Sequence, residues 1–368
     1  MKLAIVAGEA SGDLHASEVV RELKQLDPSL ESFGIGGDLL EREGMRVLHH
    51  AREMGIVGLF NVLRHLAMFR RILNEMTETI AREKPDAVML VDYPDFNLRL
   101  AKRCKAMGLR VIYYISPQVW AWRRGRVKQI ARVVDRMLVI FPFEEDFYRG
   151  HAVPVTYVGH PLIDEMAVRA LSPRESVRGV SIALLPGSRR HEIRELLPPM
   201  LDAIAMLKDE RDIDPFVIQA PTISSAELLA VMQASGVFVR VVPHDRGEAL
   251  SSAAVALSSS GTATLECAIA GVPVVVMYRL SSLTYWLARR LVKLPHFSLV
   301  NIIADKAIVP ELLQSDVNGV RIAKEVRRLL EPAENARVRS ELAEVTRKLG
   351  APGASRRAAE AITSSVNA

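Results

Sequence analysis

The sequence predicts an α/β protein built from two Rossmann-like parallel-sheet domains. Short β-rich runs alternate with helical patterns through the first half, the signature of βαβ units, and the second half repeats the alternation. The length of 368 residues exceeds a typical single domain and suits two, and 49% hydrophobic residues suffice for two buried cores. In the first half, strands are expected over 3–7, 87–91, 111–115, 136–140 and 155–158, with helices over 16–26, 57–83, 98–106 and 127–134. In the second, strands are expected over 181–185, 216–219, 238–242, 255–258 and 272–277, with helices over 192–208, 225–235, 249–253 and 263–270. Ser172-Pro173 and the weakly patterned stretch to Gly179 mark a linker. The expected spans are 1–170 for a first domain, 171–348 for a second and 349–368 for a helical tail. Two such halves place a cleft at the C-terminal ends of their strands.

The net charge of +5 suits an anionic substrate or a membrane surface and is too small to argue for nucleic acid. Two cysteines, Cys104 and Cys267, stand far apart without a disulfide framework or metal-ligand spacing, so a reducing cytosol is expected. The chain opens on a strand, with no charged segment, apolar run and cleavage site in series, so no signal peptide is expected. No apolar run reaches the length of a membrane-spanning helix.

In the second half, Ser260-Gly261-Thr262 joins a strand to a helix. A turn of small residues at a helix N-terminus offers backbone N–H groups and the positive end of the dipole to a phosphate. Glu266 follows one helical turn after Thr262, where a carboxylate reaches a ribose hydroxyl while the turn holds the phosphates. Leu185-Pro186-Gly187-Ser188-Arg189 is a second such turn. Gly187 and Ser188 offer backbone donors, and the Arg189 guanidinium binds a diphosphate bidentately. Two such loops in one half point to a nucleoside diphosphate. The alternative is a pair of ordinary strand-to-helix turns.

In the first half, Gly8-Glu9-Ala10-Ser11-Gly12-Asp13 opens a helix without the GxGxxG pattern, and Glu9 and Asp13 would repel a pyrophosphate. The loop either faces the hydroxyls of a sugar or is a tight turn with Asp13 as a cap. The strand over 87–91 runs into Asp92-Tyr93-Pro94-Asp95-Phe96-Asn97. A carboxylate at the C-terminal end of a central parallel strand sits at a cleft mouth, where burial raises its pKa and suits it to general-base work. Asp92 and Asp95 both qualify, against the plainer roles of turn acid and helix cap. Trp120-Ala121-Trp122, followed by Arg123, Arg124, Arg126 and Lys128, either stacks on sugar and phosphate or forms a hydrophobic plug. His160 and His191 suit structural and surface roles. Asp212-Ile213-Asp214 has the DxD form of metal-dependent sugar transferases but sits in a charged run, and no metal is expected. The apolar band over 54–73 is either core or a membrane-surface patch, and 283–293, with Tyr285, Trp286, Arg289 and Arg290, suits an anionic lipid interface or a plain amphipathic helix.

Taken together, Gly8 to Asp13, Asp92 to Asn97, Ser116-Pro117-Gln118-Val119-Trp120-Ala121-Trp122-Arg123, Phe141-Pro142-Phe143-Glu144, Val158-Gly159-His160-Pro161, Leu185 to Arg189, Ser260 to Glu266 and Tyr278-Arg279 resemble the lipid-A-disaccharide synthase family. Val300 stands before Asn301 where the family pattern has proline. The resemblance implies the GT-B fold, with C-terminal helices crossing back, and an inverting, metal-independent glycosyl transfer that needs no cofactor. Its donor is UDP-2,3-diacylglucosamine and its acceptor 2,3-diacylglucosamine 1-phosphate (lipid X). It implies Asp92 as the base on the acceptor 6-hydroxyl, Glu9 in the acceptor loop, Arg189 at the departing UDP, Glu266 at the ribose, Gly261 and Thr262 near the phosphates, and Asn301 as a further site position. It also implies a cytoplasmic enzyme on the inner membrane of a Gram-negative bacterium, with the 54–73 band turned to lipid, and a homodimer formed through the C-terminal region. Two other functions share parts of this pattern: a UDP-N-acetylglucosamine 2-epimerase, with the same ribose contact and no lipid patch, and a nucleotide- or lipid-binding protein without chemistry.

Overall fold

A computed structural model of the chain describes residues 1–54, 62–121, 124–168, 179–243, 246–281, 285 and 295–367. The chain divides into two compact units, Met1–Asp164 with Leu349–Ala368, and Glu165–Lys348. The expected linker at Ser172-Pro173 and most of the 283–293 stretch lie outside the described residues.

The first unit begins with β1 (Lys2–Ala7), α1 (Ala10–Leu26), β2 (Glu31–Gly36), α2 (Asp38–Arg42), β3 (Arg46–His50), α3 (Ala51–Met54) and α4 (Val62–Glu83). It continues through β4 (Ala87–Val91), α5 (Pro94–Ala106), β5 (Arg110–Tyr114), α6 (Val127–Val133), β6 (Arg136–Val139), α7 (Pro142–Arg149) and β7 (Val155–Tyr157), and α8 (Pro161–Val168) leads into the second unit. That unit holds β8 (Val180–Leu185), α9 (Arg190–Lys208), β9 (Ile213–Gln219), α10 (Ser225–Ser235), β10 (Arg240–Pro243), α11 (Arg246–Ser251), β11 (Val255–Ser259) and α12 (Thr262–Ile269). It ends with β12 (Val274–Tyr278), α13 (Leu299–Ala304), β13 (Glu311–Leu313), α14 (Gly319–Leu330) and α15 (Pro332–Lys348), after which α16 (Ala354–Asn367) returns to the first unit.

Every strand pair among the described residues is parallel, in the orders β3-β2-β1-β4-β5-β6-β7 and β10-β9-β8-β11-β12-β13. Each order reverses direction once, between β1 and β4 and between β8 and β11. Ligands of open parallel sheets bind at such a reversal, outside the carboxyl ends of the strands. The central strands are apolar along their whole length because helices cover both faces, and all five residues of β4 are buried.

Three strands, β2, β3 and β13, lie outside the expected set. β2 carries Gly34 and Gly36, β3 ends in two histidines, and β13 has three residues, so none shows a strong strand pattern. In the 54–73 band, Met54, Ile72 and Leu73 are buried and Met68 and Phe69 pack against the core, while the side chains of 55–66 lie outside the described residues. The last helix packs on α1. Asp164 receives the N–H groups of Gly353 and Ser355, and Arg357 donates to the Val158 carbonyl at 2.8 Å.

Gly34 shows why β2 tolerates its glycine. Its φ is 146°, and a Cβ there would lie 2.0 Å from the Ile5 carbonyl oxygen of β1. Gly34→Ala must therefore push two paired strands apart, at a cost of about 3 kcal/mol or more. A thermal melt should show a loss of several degrees; an unchanged midpoint would contradict the close approach.

Candidate functional site

At the first reversal, Ala7 pairs with Val91, so Gly8-Glu9 and Asp92-Tyr93 leave adjacent strands side by side. Asp92 and Tyr93 both adopt left-handed backbone, with φ of 43° and 47°. Asn97 holds them there, its side-chain amide donating to the carbonyls of Val91 at 3.1 Å and Asp92 at 2.7 Å. The Tyr113 hydroxyl donates to the same Asp92 carbonyl at 2.5 Å, and the Asp92 N–H donates to Tyr114 O at 3.1 Å. The Tyr93 ring lies against Gly8, where a Cβ would meet it at 2.7 Å, and its hydroxyl donates to Met54 O at 3.2 Å.

This setting separates the two aspartates. Burial, and then the charge of Glu9, push the Asp92 carboxyl up to about 6. Asp95 is exposed and pairs with Arg126 at 2.6 Å. Glu9 occupies the N-cap position of α1 and is exposed. Asp13, by contrast, is buried and accepts the N–H groups of Gly37, Leu39 and Leu40, so it closes the start of α2 and faces no ligand.

The tryptophan loop follows β5, beside β4. It starts at Ile115, whose φ of 61° is rare for a β-branched residue. Glu144 anchors the loop. Its buried carboxylate accepts from Ser116 Oγ at 2.6 Å, Trp120 Nε1 at 3.0 Å and the Phe141 N–H at 3.2 Å. Burial pushes this carboxyl up to about 7. Trp120 is buried and sits edge-on to Phe143 with centroids 4.8 Å apart, which fits a plug; Trp122 and Arg123 lie outside the described residues. His160 is buried, pushed down to about 3 by desolvation, and accepts from the Leu162 N–H at 3.1 Å, so it is structural.

At the second reversal, Leu185 pairs with Ser258, which brings the two small-residue loops together. They line a pocket of about 240 Å³ with Gly187, Ser188, Arg189, Gly261, Thr262 and Glu266 among its walls. Gly261 has φ 153° and ψ −159°, a conformation nearly exclusive to glycine, and turns the chain into α12. In the first turn of α12 the Thr264 N–H donates to the Gly261 carbonyl at 3.1 Å, while the N–H groups of Thr262 and Ala263 precede the first intrahelical acceptor and face the pocket end of the helix. Glu266 is buried on the pocket wall.

The loop after β8 differs in detail from the expectation. Glu192 Oε2 already accepts the N–H groups of Ser188 at 2.9 Å and Arg189 at 3.1 Å. Gly187 is required by that carboxylate, since a Cβ would meet Glu192 Oε2 at 2.3 Å. The exposed Arg189 guanidinium, 3.2 Å from Glu192 Oε1, is the part of this loop open to an anion.

Asn301 also departs from the expectation. It is fully buried, and its amide oxygen accepts from Ile308 N–H at 2.9 Å and Val309 N–H at 3.0 Å, while its nitrogen donates to Val309 O and Glu311 Oε1 at 3.0 Å each. All its hydrogen-bonding capacity is committed to folding 305–311, so its side chain shapes the loop and leaves no group for a ligand. Asp214 lies near the start of β9, the end of the strand opposite the pocket, and pairs with Arg240 at 3.4 Å. Arg190 pairs with Glu227 at 2.7 Å, and His191 and Arg194 are exposed.

A family model described as lipid-A-disaccharide synthetase matches residues 3–365. The chain belongs to the lipid-A-disaccharide synthetase family. It is 45% identical over 369 residues to the lipid-A-disaccharide synthase of Myxococcus xanthus (strain DK1622), covering 98% of this chain and 96% of that one. It is 42% identical over 370 residues to the synthase of Geobacter sulfurreducens, covering 97% and 95%. Among solved structures, it resembles the UDP-GlcNAc 2-epimerase of Neisseria meningitidis bound to UDP-GlcNAc, with a TM-score of 0.67, 15% identity and coverage of 99% of this chain and 100% of that one. It also resembles MurG of Acinetobacter baumannii, with a TM-score of 0.59, 16% identity and coverage of 99% of each. These structural likenesses establish the fold, the GT-B class of the synthetase family.

Sequence reasoning singled out Asp92, Arg189 and Glu266 but gave no role to Asn97, Tyr113 or Glu144. Glu144→Ala would leave three buried donors unsatisfied and should cost about 3 kcal/mol. The urea midpoint, followed by tryptophan fluorescence, should fall accordingly. An unchanged midpoint would show that the loop is held by other contacts.

Proposed function

We propose that this chain condenses UDP-2,3-diacylglucosamine with 2,3-diacylglucosamine 1-phosphate to give the β-1,6-linked disaccharide 1-phosphate and UDP. Family membership supports glycosyl transfer in lipid A biosynthesis. The observation that carries the mechanism is the Asp92 carboxyl at the β1/β4 reversal, held by fixed backbone and pushed up to about 6. Ionised, it takes the proton from the acceptor 6-hydroxyl as that oxygen attacks the anomeric carbon. The bond from that carbon to the phosphate oxygen breaks, and UDP departs with the electron pair. Attack from the face opposite the leaving group inverts the anomeric centre.

Charge on the leaving UDP is met by the Arg189 guanidinium and the first-turn amides of α12 near Gly261 and Thr262. Gly187 and Ser188 shape the approach to Arg189. Glu266 holds the ribose, and the scheme requires no metal. Glu9 lines the acceptor side and tunes Asp92 by its charge. No helix among the described residues is long and apolar enough to cross a membrane. The acyl chains of both substrates support peripheral contact with the cytoplasmic face of the inner membrane through the 54–73 band. Pairing with a second copy through the C-terminal region rests on the family resemblance alone.

The test is UDP release in detergent with the two substrates together and singly. UDP and disaccharide formed only with both supports the synthase. Release without acceptor points to hydrolysis or epimerase-like chemistry.

Three further outcomes follow from Asp92. Asp92→Asn should lower kcat by about 10²–10⁴-fold while UDP still binds; near-normal turnover would remove Asp92 as the base. Because the base acts ionised, kcat/KM should rise with pH up to about 6 and then level off. Glu9 raises the Asp92 pKa, so Glu9→Gln should move this acid limb to lower pH. A limb that stays in place would exclude Glu9 from the charge balance.

A further inference from the structure

The pocket at the second reversal carries more negative charge than a diphosphate site calls for. Among the described residues that line it, three side chains are charged: Arg189, Glu192 and Glu266. One guanidinium therefore stands against two carboxylates. Glu266 holds the ribose in the proposed reaction. Glu192 has no such task and lies in the first turn of α9, beside the guanidinium.

Glu192 occupies the donors that a phosphate would take. Its Oε2 accepts from the successive N–H groups of Ser188 and Arg189, and its Oε1 lies 3.2 Å from Arg189 Nη1. Amides at a helix start and a guanidinium are the usual partners of a phosphate. The loop is shaped around this carboxylate, since Gly187 leaves the room that a Cβ would take from it. The side chain is buried, so little water screens its charge from a second anion in the pocket. Capping alone does not need that charge. At the third position of a helix, glutamine serves in the capping box as glutamate does, and it would leave Arg189 undivided for a ligand.

We propose that Glu192 is a resident anion that limits how tightly this pocket holds the diphosphate of UDP, so that the product departs after transfer. The inference rests on the reading of the pocket as the UDP site. Breaking the bond to the anomeric carbon leaves an added negative charge on the terminal phosphate. A fixed carboxylate therefore repels UDP more than it repels the donor, in which the sugar masks that oxygen. Arg189 and the amides of α12 meet the charge as it forms, and Glu192 keeps the finished product from being retained. Tight product binding adds nothing to transition-state stabilisation and slows release.

The experiment is calorimetric titration of UDP and of uridine into the wild-type chain and Glu192→Gln, in detergent. Glu195→Gln serves as the control. Glu195 is exposed, belongs to the same helix and is not among the residues that line the pocket. Glu192→Gln should bind UDP about tenfold more tightly, the effect of removing one like charge close by. Its affinity for uridine and its thermal melt should match the wild type, and Glu195→Gln should change neither ligand. Glu192→Asp, which draws the charge back from the loop, should tighten UDP by a smaller factor and carries the test if the glutamine variant melts early. Unchanged or weaker UDP binding in these Glu192 variants overturns the role. An equal gain for uridine, or an equal gain in Glu195→Gln, also overturns it, because loop shape or net charge would then be the cause. Absence of UDP binding by the wild type would count against the nucleotide site itself and remove this role with it.

Discussion

The end of β4 depends on the side-chain amide of Asn97. Two successive L-residues in left-handed backbone cost of order 1–3 kcal/mol each and persist only where surrounding bonds leave the chain no relaxed alternative. Asn97 and the Tyr113 hydroxyl supply those bonds by converging on the Asp92 carbonyl. The direction of the Asp92 carboxyl, its nearness to Glu9 and the contact of the Tyr93 ring with Gly8 all follow from this clamp. An extended backbone at Asp92 would continue the strand and carry the carboxyl away from the reversal.

The two units use one topological device with opposite electrostatics. At the first reversal burial and then the neighbouring Glu9 carboxylate raise the proton affinity of Asp92. At the second they present a guanidinium and helix-end amides, which favour negative charge. A condensation that removes a proton from one partner and leaves charge on the other needs these two environments. Behind each edge, buried polar groups hold the loops in place: Glu144 under the tryptophan loop, Glu192 under Gly187–Arg189, and Asn301 under the turn that leads to β13. Glu144 and Asn301 are enclosed and Glu192 reaches only the wall of the pocket, so all three fix loop shape.

The long apolar strands were readable because burial on both faces leaves a local signal. β2 and β3 were not, since glycine and histidine carry little strand preference and the need for Gly34 arises from Ile5 on a paired strand. The same distinction holds at the site. Asp92, Arg189 and Glu266 stand at positions that a strand-turn-helix pattern marks. Tyr113 and Glu144 act on partners 21 and 28 residues away, across strand pairs that only the sheet brings together. Asn301 matched a family position, yet its amide is saturated by residues seven to ten places further on, an internal network that a motif cannot reveal.

The return of α16 to α1 makes the second unit an insertion within the first. The second unit is contiguous in the chain, so all its strands emerge during synthesis in one uninterrupted run. The first unit begins earlier but lacks α16, and with it the partners of Asp164 and Val158, until the second has been made. Until then the face of α1 that α16 covers stays open. Because domains close as units during synthesis, the order of completion on the ribosome is the reverse of the order in which the units begin.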